Sequence, residues 1–169
     1  MRNLKMVFAA LASLVLATSF AHALEVKKKI NAPALPPKVW EVAGGFCAIK
    51  DWHPLVADCK ATKEGDATIR TLTLKDGGSI KEKLLESDDS SYSYEIIESP
   101  LPVKNYQGKF WIEEDERSPD RTTIHWDATF DANGASDDDA SKKIGDIFFA
   151  GLKGIKQKVL PPEGTAGGD

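Results

Sequence analysis

Over residues 24–131 the apolar side chains recur mostly at every second position, and beyond Ser136 they recur at every third and fourth. The first period belongs to strands with one buried face and the second to a helix with one apolar stripe. Leu24, Val26 and Lys28 alternate with Glu25, Lys27 and Lys29, which predicts a first strand over 24–30 with a solvated edge. Pro36-Pro37 then opens a helix at its first turn, where the missing N–H costs nothing. Val39, Trp40, Val42 and Ala43 form the apolar face of this helix, and Gly44-Gly45 ends it. Residues 47–52 make a second short helical turn, stopped by Pro54.

Six further strands are expected, at 55–62, 67–74, 79–87, 91–98, 105–114 and 122–131. Asp76-Gly77-Gly78 and Asp88-Asp89-Ser90 supply tight turns between them. Ser99-Pro100-Leu101-Pro102 is a stiffened loop, because two prolines fix φ and withhold two donors. Ser136 suits an N-cap, and Asp137, Asp138 and Asp139 complement the positive end of a helix dipole. The stripe Ala140, Ile144, Ile147, Phe148, Gly151, Leu152, Ile155, Val159 runs along a helix of about 24 residues, stopped by Pro161-Pro162. The predicted class is α+β: a curved seven-stranded antiparallel sheet wrapped around a long C-terminal helix, with two short helices after the first strand. Two such layers enclose a cavity when their facing side chains do not fill the space, and a cavity is a place to hold a molecule.

Alternation also says which side chains share the inner face. Ile80, Glu82 and Leu84 point one way, and Tyr94 shares a face with Ile96. Tyr106, Gly108, Phe110 and Ile112 form another inner set, as do Ile124, Trp126, Ala128 and Phe130. The expected cavity lining is Leu72, Leu74, Tyr94, Ile96, Tyr106, Trp126, Phe148 and Leu152, with Glu82 as a carboxylate among apolar neighbours. A carboxylate so placed needs a partner or a raised pKa, and Arg70, on the face of Leu72 and Leu74, is within geometric reach. The plainer reading of Glu82 is an edge strand with its carboxylate in water. His53, at the corner between helix and strand, is placed to reach the cavity mouth and meet Glu82 or an anionic ligand; a surface histidine beside Pro54 is the plainer alternative.

The first residues carry a different signal. Arg2 and Lys5 precede a short apolar run over 6–20, and Ala21-His22-Ala23 places small residues where a signal peptidase needs them. This predicts a cleavable export signal over 1–23, a run shorter than a membrane span. A single domain over 24–160 and a disordered Gly-rich tail over 161–169 are expected to follow. Removing Arg2 and Lys5 from the 22 basic residues leaves 20 against 26 acidic ones, a net charge near −6. The basic residues are scattered, so the chain lacks the concentrated footprint that nucleic-acid binding requires. Cys47 and Cys59, in an oxidising compartment, are expected either to bridge or to remain two buried thiols. Two cysteines and His53 fall short of a zinc set, and no metal or cofactor is expected.

Several short segments together resemble the START-like superfamily, which includes plant pathogenesis-related allergens, abscisic-acid receptors and bacterial polyketide cyclase/dehydrase-type proteins. They are Val39-Trp40, Trp52-His53-Pro54, Thr73-Leu74-Lys75-Asp76-Gly77, Glu82-Lys83-Leu84 and Asp88-Asp89, then residues 100–106, and Trp126 followed by Phe130. The resemblance spans residues 24–159 and implies the helix-grip fold. It also implies that His53 and Glu82 face a ligand, that Tyr106 and Trp126 line its cavity, and that 75–78 and 99–103 match the gate and latch loops of the hormone receptors. The receptors' own gate and latch sequences are absent, so hormone binding does not carry over. Exported single-domain relatives include a periplasmic accessory protein of bacterial methanol oxidation, which this chain resembles in size, export signal and sheet motifs. That resemblance implies a non-enzymatic periplasmic factor that helps a methanol dehydrogenase meet its c-type cytochrome, binds a small hydrophobic ligand, or does both. Two other readings are a cyclase- or hydratase-like enzyme using Glu82 and His53 as acid and base, and a periplasmic carrier of lipids or other hydrophobic compounds.

Overall fold

The computed structural model describes residues 23–160; apart from Ala23, the expected leader and the expected tail lie outside them. The elements are β1 (Leu24–Ala32), α1 (Pro36–Ala43), α2 (Ile49–Trp52), β2 (Val56–Glu64), β3 (Ala67–Leu74), β4 (Ser79–Ser87), β5 (Ser91–Glu98), β6 (Val103–Asp115), β7 (Ser118–Ala132) and α3 (Asp137–Val159). All seven strands form one antiparallel sheet in the order β1-β7-β6-β5-β4-β3-β2. Consecutive hairpins build β2 to β7, and β1 closes on β7, so the helices must lie across one face.

Most boundaries follow the hydrophobic pattern, and β3, β4 and β5 coincide with it. The β6–β7 hairpin runs further than expected, down to the Asp115–Ser118 pair. Its distal end is polar on both faces (Glu113, Glu114, Pro119, Asp120, Arg121), so no alternation marks it. Besides backbone pairing, the ladder there is held by the buried Asp115 carboxylate, which accepts from Asn31 and Thr123.

The other irregularity lies in β6, where pairing with β7 skips from Lys104 to Gln107. Lys104 and Asn105 are both exposed, Tyr106 is buried, and Asn105 has φ 52°, a left-handed conformation that asparagine tolerates better than most residues. The bulge shifts the alternation by one residue and turns Tyr106 to the inner face.

On α3 the side chain of Ser136 accepts a hydrogen bond from the Asp139 N–H at 3.1 Å, as its capping role requires. The buried residues of the helix are the expected stripe with Gly145 added, while Ile147 is half-buried. The glycines set how closely the helix approaches its neighbours. Gly145 leaves room for the Lys28 stem on β1, and a Cβ at Gly154 would overlap the Trp52 carbonyl at the end of α2. The helix is therefore clamped against α2 at its C-terminal half and stands off the sheet towards its middle. A disulfide joins Cys47, just before α2, to Cys59 on β2 across a Cα separation of 5.4 Å.

Candidate functional site

Where α3 stands off, a cavity of about 490 Å³ opens between the helix and strands β3 to β7. Leu72 and Leu74 of β3, Glu82 of β4, Tyr94 and Ile96 of β5, Tyr106 of β6, Trp126 of β7 and Phe148 of α3 line it, together with His53. Leu152 does not: it is fully buried in solid core one turn beyond Phe148. The reason lies in that clamp, since a Cβ at Gly151 would come within 2.6 Å of His53 and 2.7 Å of Trp126, leaving no gap there. Lining residues that were not singled out include Ile144, Ile147 and Lys143 on α3, and Leu55 and Leu101 on flanking loops. Ile144 and Ile147 belonged to the helical stripe, which says that they are inside but not which inner residues face empty space.

The polar groups of the site form two clusters. In the first, Arg70 is completely buried and its Nε donates to Glu82 Oε2 at 2.5 Å. Arg70 Nη1 donates to the Phe46 carbonyl, and the guanidinium lies 4.0 Å from the Phe46 ring centroid. Arg70 and Glu82 occupy facing positions on β3 and β4, which is why alternation placed them on one face. Burial pushes the Glu82 carboxyl above its usual range, against the pull of Arg70; Arg70 itself is held charged by Glu82 despite its own burial. Glu82 Oε1 has no hydrogen-bond partner among the described residues, so it remains an acceptor on the cavity wall.

In the second cluster the Trp126 Nε1–H donates to the Tyr94 hydroxyl at 2.9 Å, and the Tyr94 and Tyr106 hydroxyls are 3.2 Å apart. The indole can only donate, so three donor protons share two phenolic oxygens. Whichever phenol donates to the other, one O–H is left without an acceptor among the described residues. Burial raises the pKa of both tyrosines, keeping them protonated donors. Gly108 makes this arrangement feasible: a Cβ there would come within 2.5 Å of the Tyr94 ring, directly across from it on the neighbouring strand.

His53 lines the cavity but does not meet Glu82. Its Nε2 is 3.1 Å from the Ile147 carbonyl, and its Nδ1 accepts from the Leu55 N–H at 3.1 Å. The Nε2–H tautomer satisfies both bonds. Burial lowers its pKa to about 4, so the ring is neutral near pH 7 and both nitrogens are engaged by the backbone. The expected acid–base pairing with Glu82 is therefore not formed, and the surface alternative fails too, since only 4% of the residue is exposed. His53 ties the α2–β2 corner to α3.

Among the described residues no group of three or more His, Cys, Asp or Glu side chains is placed to hold a metal ion. Nor is any of the described helices long and apolar enough to cross a membrane.

The sequence model of the family described as polyketide cyclase / dehydrase and lipid transport matches residues 22–160. No curated protein matches the chain by sequence. Among solved structures, the protein XoxI from Bacillus cereus is similar at 29% identity and a TM-score of 0.74, covering 79% of this chain and 94% of its own. An uncharacterised protein from Bacillus thuringiensis is 28% identical with a TM-score of 0.76, over 82% of this chain and 100% of that one. An aromatase/cyclase, Zhui, from a Streptomyces species shares the fold at 16% identity and a TM-score of 0.66, covering 81% and 93% of the two chains.

Proposed function

Because the chain belongs to the polyketide cyclase / dehydrase and lipid transport family, a START-like family, we propose that it is a non-catalytic binding protein. Its cavity holds a mainly apolar molecule that carries an oxygen acceptor. The observation that carries this reading is the unmatched phenolic O–H of the Tyr94–Tyr106 pair in a mainly apolar cavity of about 490 Å³. A carbonyl or ether oxygen supplies the missing acceptor, and a ligand hydroxyl can in addition donate to Glu82 Oε1. A cyclase- or hydratase-like mechanism using Glu82 and His53 would have to do without His53, whose nitrogens are both bonded to backbone. We place the protein in the periplasm, on the strength of the leader-like pattern over 1–23. There it serves either as a carrier of hydrophobic compounds or as an accessory factor between a periplasmic dehydrogenase, such as a methanol dehydrogenase, and its c-type cytochrome.

Native mass spectrometry of protein purified from its own periplasm tests the binding reading directly. A bound oxygenated apolar molecule, lost on Tyr94→Phe with Tyr106→Phe, is the expected result. A protein that carries no ligand, and takes up neither a fatty alcohol nor an aromatic ketone, overturns it. Cytochrome reduction by the dehydrogenase, measured with and without the protein, separates accessory factor from carrier.

A further inference from the structure

The cavity does not end at its apolar wall. A groove of about 670 Å³ lies beside its mouth and shares His53, Val56 and Lys75 with it. Lys50 on α2, Lys153 and Lys158 on α3, and Lys75 in the β3–β4 turn line this groove, and Lys143 stands on the rim of the cavity itself. None of these five lysines has a carboxylate within 4 Å among the described residues, whereas Lys81, Lys83 and Lys142 elsewhere on the surface do. The acidic residues in the same walls are Asp51, Asp76 and Glu82; Glu82 is paired with Arg70, and the Asp76 carboxylate accepts from the Gly78 N–H at 2.9 Å within its own turn. Groove and cavity together thus gather five lysines against three acidic residues, one of them already paired with Arg70, on a chain whose net charge is −4. Helix-dipole compensation accounts for Lys158, in the last turn of α3, and Lys50, in the single turn of α2, but not for Lys75, Lys143 or Lys153. Lys153 also approaches the Phe149 ring, 5.6 Å from its centroid.

We propose that the groove and the cavity form one composite site for an anionic amphipath, its chain in the cavity and its carboxylate or phosphate head among the mouth lysines. An ammonium is a compact point charge well suited to such a head. Field from several unpaired lysines beside a low-dielectric wall concentrates anions at the opening. Chain and head together are held more tightly than either alone, since the second contact is made within one bound molecule. This rests on the binding reading above, and the uncharged probe in the experiment keeps the two apart.

Isothermal titration with decanoate, 1-decanol and inorganic phosphate tests it. Decanoate should bind at least tenfold more tightly than decanol at low salt, and the advantage should shrink as sodium chloride rises, because exposed charges are screened. Reversing Lys50→Glu and Lys153→Glu together, which line the groove and not the cavity, should abolish that advantage and leave decanol affinity unchanged; Lys60→Glu, an exposed lysine on β2, serves as the control that preserves it. Equal affinity for decanoate and decanol, or a preference that survives the double reversal, overturns the composite site while the apolar cavity stands. Failure of both chains to bind overturns the cavity reading and this one with it. Displacement of decanoate by an equal concentration of phosphate shows that the groove takes a free anion, and also overturns it.

Discussion

At the scale of single residues, the buried Arg70–Glu82 pair is the most demanding arrangement in the molecule. Two charges taken out of water are tolerated because each neutralises the other, although Arg70 Nη2 has no hydrogen-bond partner among the described residues, and removing one partner leaves the other stranded. Glu82→Gln keeps the shape but strands the guanidinium, and should lower unfolding free energy by about 3–5 kcal/mol in urea titration. Arg70→Met combined with Glu82→Leu should recover most of that loss, since an apolar pair needs no counter-charge. A double variant as unstable as the single one would show that the pair contributes packing rather than charge balance. His53 gives a second test, through pH. Its pKa falls from an ordinary 6.5 to about 4 in the fold, mainly by burial. Between those values the unfolded chain binds a proton that the native state refuses, so stability drops as pH falls from 6.5 to 4, by up to about 3 kcal/mol. The raised carboxyl of Glu82 works in the opposite direction, its contribution being lost as pH rises. The His53 share is therefore the difference in acid dependence between wild type and His53→Gln, measured by chemical denaturation across that window.

At the scale of elements, two devices hold the site's shape. The β6 bulge turns Tyr106 inward, and Gly108 two residues later makes room for Tyr94, so one strand sets both phenols. Gly108→Ala should push the Tyr94 ring aside, break its bond from Trp126 and cost about 1–3 kcal/mol by overpacking. Changed Trp fluorescence together with a lower melting temperature would register both effects; an unchanged emission spectrum would mean that Tyr94 had not moved. The disulfide is the second device. It anchors the segment before α2, whose Phe46 carbonyl receives Arg70. Cys47→Ser with Cys59→Ser opens a short loop and should cost about 3 kcal/mol by unfolded-state entropy. Denaturation of that variant beside the wild type under oxidising conditions measures it.

At the scale of the whole molecule, the sheet, the clamp of α3 on α2 and the cavity are parts of one compromise. The helix packs solid from Gly151 onward and leaves space around Phe148, so stability is concentrated at one end and binding at the other. Filling that space should separate the two properties. Leu74→Trp is expected to keep the melting temperature within a few degrees, because an unfilled cavity contributes little cohesion, and to weaken decanol binding at least tenfold. A strongly destabilised Leu74→Trp would mean that the site is already filled by protein atoms.

How far the sequence reaches follows from what carries each feature. Local periodicity and turn residues are sufficient for the seven strands, the three helices and the shared inner face of Leu72, Glu82, Tyr94 and Trp126, because a strand shows its faces every second residue. The same reasoning brought Arg70 within reach of Glu82, since it shares the face of Leu72 and Leu74 on the neighbouring strand. Only the tertiary structure decided that Leu152 is core rather than cavity, that both nitrogens of His53 are taken by Ile147 and Leu55, and that five lysines from α2, a turn and α3 line the cavity and the groove beside it. Periodicity tells which side of an element is buried. Whether that side meets atoms, a backbone partner or empty space depends on how closely distant elements approach, and here glycines on α3 and β6 set that approach.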